Sequence, residues 1–140
     1  MDWAQFDKGV FLVNVLGIVY DKKTKTVLIG KRVNDPYIRE LSWVFLGGRP
    51  RADMELEDEL KNVIKQKSNV NVRVVKTVFA KTYPEKREFL SIYYLCEYVS
   101  GKEKVGDTFV EYKWVKPTEV KNYFTTSLHP GLLAYLKTLE

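Results

Sequence analysis

The chain holds few of the residues that build covalent or metal frameworks. It has one cysteine, Cys96, and one histidine, His129. A lone cysteine makes no internal disulfide, and one Cys with one His is too few ligands for a zinc site. A Cys96–His129 nucleophile pair is conceivable, but Cys96 sits in the run Ile92-Tyr93-Tyr94-Leu95-Cys96-Glu97, where it reads as a buried strand residue. Long hydrophobic runs are also lacking. The longest, residues 10–19, is interrupted by Asn14 and Gly17 and falls short of the roughly 20 residues that span a bilayer. No basic segment leads into an apolar run at the start, so the expectation is a cytoplasmic protein with no secretory leader and no membrane partner. Repeats and low-complexity tracts are missing too, which leaves a single domain over residues 1–140.

What is present suits that domain. Of 140 residues, 45% are hydrophobic and 14% aromatic, enough apolar surface for a real core. A net charge of +5 suits an anionic ligand such as a phosphate, or RNA, although charge alone speaks mainly to solubility. Residues 11–20 and 26–32 read as two β-strands around the turn signal Asp21-Lys22-Lys23-Thr24-Lys25. Trp43-Val44-Phe45-Leu46 reads as a short strand broken by Gly47-Gly48. From Asp53, a sensible N-cap, Leu56, Leu60, Val63 and Ile64 recur on one helical face until Ser68-Asn69 stops it. Strands at 70–83 and 89–99, split by a loop at 84–87, come next. A further strand at 110–115, a helix start at Pro117 and a terminal helix over 130–139 complete an α+β order.

A strand, a Gly-Gly turn and a helix in that order resemble the Nudix hydrolase family. The likeness covers residues 10–138, without insertion, and implies an α/β/α sandwich with a mixed β-sheet. Within the family it is nearest to GDP-mannose mannosyl hydrolases, which share Gly30-Lys31-Arg32-Val33-Asn34-Asp35-Pro36 and the aromatic lead from Trp43 into Gly47-Gly48-Arg49. The family's metal-binding box does not carry over. Its first Glu falls on Met54, its Arg on Asn62, the next Glu on Val63, its metal-holding Glu pair on Gln66 and Lys67, and its closing Gly on Asn69. The Gln and His that serve the mannosyl hydrolases as metal ligand and base fall on Thr108 and Phe109. Mg²⁺ wants hard oxygen ligands, whereas Lys67 repels a cation and Phe109 takes no proton.

The helix does carry acids, Asp53, Glu55, Glu57, Asp58 and Glu59, in its first half, with Lys61, Lys65 and Lys67 in its second. The helix dipole favours that layout in a solvated helix. A rebuilt metal site would draw on Glu55 and Glu59, or on Glu111 or Glu88 from a neighbouring strand. Arg32 and Arg49 match arginines that the resemblance assigns to nucleotide-sugar phosphates. With Gly47, Gly48, Lys67, Lys31, Arg39 and Arg51 they form a locally cationic region. The expected ligand is therefore a nucleotide or nucleotide sugar, bound without a cofactor, with Lys67 partly replacing Mg²⁺. Two alternatives stay open: a hydrolase of a nucleoside diphosphate sugar or related compound using displaced Mg²⁺, and an RNA- or protein-binding scaffold. The family likeness also implies a homodimer. His129, before Pro130, reads as a helix cap. Phe79, Tyr83, Tyr93, Tyr94 and Trp114 sit at strand spacing and read mostly as core, with alternate ones able to stack on a base.

Overall fold

The computed structural model describes residues 9–33, 42–106, 108–126 and 128–140; the expected loop at Asn34-Asp35-Pro36 and Arg39 lie outside them. β1 (Leu12–Asp21) and β2 (Thr26–Arg32) form where the sequence places them, because both runs are dense in β-branched residues and a polar turn separates them. They pair only at Tyr20–Val27 and Asp21–Thr26. Beyond that they diverge, and one segment fills the fork. β3 (Trp43–Val44) pairs with β2, whereas β4 (Leu46–Gly48) pairs with β1. Two corrections follow. The expected single strand 43–46 is two strands parted at Phe45, and Gly47-Gly48 extends a strand instead of ending it.

β5 (Asn71–Tyr83) and β6 (Lys86–Ser100) make a long hairpin, with β6 parallel to β1. β7 (Phe109–Val115) pairs with β2. The result is a seven-stranded mixed sheet. Helix α1 (Leu56–Ser68) covers one face, where Leu60 and Ile64 pack on Val15, Val19, Leu28 and Leu46. A 3-10 helix (Pro117–Asn122) and α2 (Pro130–Lys137) cover the other, where Val120, Leu132 and Leu136 meet Ile18, Ile29 and Phe45. This is the α+β sandwich. No helix among the described residues is long and apolar enough to cross a membrane.

The start of α1 differs from expectation. Its N-cap is Glu55, with no side-chain cap bond, and Asp53 instead pairs with Arg51 at 3.2 Å. The later start shifts the buried face: Leu56 is 37% exposed, while Glu59, expected in solvent, is only 8% exposed. The stop is at Asn69, whose left-handed backbone (φ 68°) lets its N–H donate to Lys65 O. His129 caps α2 by accepting from Gly131 N at 2.9 Å.

Candidate functional site

A cavity of about 280 Å³ lies on the face of the sheet that carries α2. At one end it is bordered by the close of β2 (Arg32), β4 (Gly47, Gly48), Arg49 just after it, and the last turn of α1 (Lys67). These five residues, separated in sequence by up to 35 positions, therefore share one wall. Local chemistry fixes the arrangement. A Cβ on Gly47 would overlap Val15 O and fall 2.8 Å from Leu16 Cα, so only glycine lets β4 lie so close to β1. Gly48 is less constrained, since a Cβ there would make ordinary contacts with Lys67 Nζ and Val63. Tyr112 Oη donates to Lys67 O at 2.8 Å and holds the end of α1, while Lys67 Nζ donates to Gly47 O at 2.7 Å. Phe109 stacks on Tyr112, and both Arg32 and Lys67 carry their charges over the Phe109 ring, at 5.7 and 5.9 Å. Gly30 makes room for that aromatic pair; a Cβ there would come 2.6 Å from Phe109.

The other end of the cavity holds Tyr83 on β5 and Tyr93 on β6, two of the aromatics the sequence offers for stacking, together with three residues it does not single out: Asn14 on β1, Lys81 on β5 and Ser91 on β6. Lys81 is 8% exposed and lies 4.0 Å above the Tyr83 ring. Burial lowers its pKa from the ordinary lysine value, and the nearby Glu85 carboxylate partly offsets this. Burial, then the neighbouring Tyr83, raises the Tyr93 phenol well above its usual range. Ser91 is fully buried, and its Oγ has no hydrogen-bond partner among the described residues. A pattern in the sequence marks the place. Phe79-x-Lys81-x-Tyr83 and Phe89-x-Ser91-x-Tyr93 each set a polar residue between aromatics at strand period. Among the described residues the lining contains four cations (Arg32, Arg49, Lys67 and Lys81) and no carboxylate.

The remaining candidates are placed elsewhere. Glu55 and Glu59 belong to the start of α1, and Glu111 on β7 stands opposite Lys31 and 3.9 Å from Lys113; none of the three lines the cavity. No group of three His, Cys, Asp or Glu residues that could hold a metal occurs among the described residues.

No family model and no characterised protein matches the sequence. Solved structures do match the fold. A MutT protein from Methanosarcina mazei Go1 superposes with a TM-score of 0.71 at 16% identity, covering 94% of each chain. A NUDIX hydrolase from Nitrosomonas europaea gives 0.74 at 17% identity, over 92% of this chain and 72% of that one. An ADP-ribose pyrophosphatase from Streptococcus suis gives 0.66 at 12% identity over 90% of both. The chain has the fold of the Nudix hydrolases.

Proposed function

We propose that this Nudix-fold protein binds a nucleotide or other phosphate compound through Arg32, Arg49, Lys67 and the Gly47-Gly48 strand, without metal-dependent hydrolysis. One observation carries the reading: the Lys67 ammonium is bonded to Gly47 O at 2.7 Å, at the end of a cavity whose lining, among the described residues, holds four cations and no carboxylate. Mg²⁺ does not fit this donor set. It needs several hard oxygens, usually including a carboxylate, and an ammonium at that carbonyl repels it. A phosphate does fit. The guanidinium groups of Arg32 and Arg49 offer paired donors to its oxygens, and Lys67 supplies a point charge.

The name of the ADP-ribose pyrophosphatase supports a nucleoside diphosphate derivative as the ligand class, and GDP-sugars belong to that class. The competing reading, an active hydrolase, would require Glu55, Glu59 or Glu111 to reach the phosphate from outside the cavity lining. A product assay over nucleoside triphosphates, ADP-ribose and GDP- and UDP-sugars, with Mg²⁺ and then Mn²⁺, separates the two. We expect no turnover beside an active Nudix control. Metal-dependent turnover at ordinary enzymatic rates would overturn the reading and direct mutagenesis to those three glutamates.

A further inference from the structure

The phosphate reading uses one end of the cavity and leaves the other unexplained. Across β1, β6 and β5, Asn14 pairs with Ser91 and Ser91 with Lys81, so three polar residues stand side by side on one register line. All three face the cavity. Adjacent strands lie about 4.8 Å apart, so the line is about 10 Å long, and Lys81 sits three strand spacings, about 14 Å, from β4. The line has apolar borders. Leu12, Phe89 and Tyr83 flank it on one side, Leu16 and Tyr93 on the other, and all five line the same cavity. A polar floor between aromatic and aliphatic walls admits a flat ring set edge-on, with its polar edge on the floor and its faces toward the walls.

The floor also dictates which edge. An ammonium has three donors and no acceptor, so whatever meets Lys81 must accept. Ser91 Oγ, fully buried and without a partner among the described residues, needs a partner that a ligand in this cavity supplies. We infer that Asn14, Ser91 and Lys81 read the carbonyl-bearing edge of a planar ring, the pyrimidinedione or oxopurine base of the nucleotide whose phosphates the cationic end holds. This rests on the phosphate reading above. An amino-bearing edge would set donor against donor at Lys81 and bury the amino group of the ring without an acceptor.

UDP and CDP make the test, since their rings differ only where a carbonyl and ring N–H become an amino group and bare ring nitrogen. Calorimetric titration of the full chain with UDP, CDP and inorganic pyrophosphate reads both ends of the cavity. We expect UDP to bind about ten- to hundredfold more tightly than CDP. Lys81→Met should remove most of that ratio while leaving pyrophosphate binding unchanged, and Ser91→Ala should reduce it if the lysine variant does not fold. Equal affinity for UDP and CDP would overturn the inference, as would both nucleotides binding no better than pyrophosphate, with the phosphate reading intact. Failure of all three ligands, pyrophosphate included, would overturn both.

Discussion

On the α1 side of the sheet, Leu60 and Ile64 close over Val15, Val19, Leu28 and Leu46, all fully buried. Ser68, buried with them, donates its hydroxyl to Ile64 O at 2.6 Å. On the α2 side the aromatic groups Phe45, Tyr93 and Phe124 meet edge to face, and a cavity remains beside them. Ser91 there is as buried as Ser68, yet its Oγ has no hydrogen-bond partner among the described residues. The two serines set the faces apart: Ser68 is satisfied within its own helix, whereas Ser91 keeps a buried hydroxyl beside open space, which is what the proposed ligand would use.

The most damaging change falls where the two regions join. Gly47→Ala places a methyl group against Val15 O, so β4 cannot pair with β1. The expected loss is about 4 kcal/mol or more, or no folded protein. Gly48→Ala, with ordinary contacts only, should cost less than about 1 kcal/mol, and urea denaturation of the pair measures the gap. Next comes Leu60→Ala on the sealed face, expected to cost about 2–5 kcal/mol of stability and to leave ligand binding intact in whatever fraction stays folded. If Leu60→Ala abolished binding without loss of stability, the division of labour between the faces would be wrong.

Mutations of the cavity should do the reverse. Arg32→Met and Lys67→Gln each remove a cation from the wall, and about tenfold weaker pyrophosphate binding is expected with the denaturation midpoint nearly unchanged. An effect seen only at alkaline pH concerns Cys96, fully buried under α1. Burial, with the Glu57 carboxylate adding to it, pushes its thiol up to about 12. An unfolded thiol titrates near pH ~8.5, so the folded state holds this proton through the window between the two values. Stability from this source is complete below ~8.5 and declines as pH rises toward 12. The wild type should therefore lose about 1–2 kcal/mol more than Cys96→Val between pH 8 and pH 10. Parallel slopes for the two proteins would show that the thiol is not held neutral.

The same contrast explains what the sequence disclosed. Strand β2 was legible to the residue because a polar turn precedes a run of β-formers, and the end of α1 because Asn69 favours the left-handed cap. The start of α1 was not. Asp53 has the right chemistry for a cap, but its carboxylate is taken by Arg51 two residues away. Gly47-Gly48 read as a break because glycine's usual signal is a turn, whereas the requirement here is close approach of two backbones, which local sequence does not carry. Arg32, Gly47, Gly48, Arg49 and Lys67 could be grouped only through family likeness, since the fold alone brings β2, β4 and α1 together. Lys81 and Ser91 went unnoticed because a polar residue in a strand ordinarily faces solvent. The register that sets them side by side is a property of the hairpin, not of either strand.

The central claim is that Lys67, Arg32 and Arg49 hold phosphate where a divalent metal does not fit. The direct measurement is a calorimetric titration of the protein with pyrophosphate in excess EDTA, repeated with Mg²⁺ and with Lys67→Gln. The account predicts binding in EDTA that is at least as tight as with Mg²⁺ and about tenfold weaker in the variant. Binding that appears only when Mg²⁺ is supplied, and that survives loss of the Lys67 charge, would contradict it.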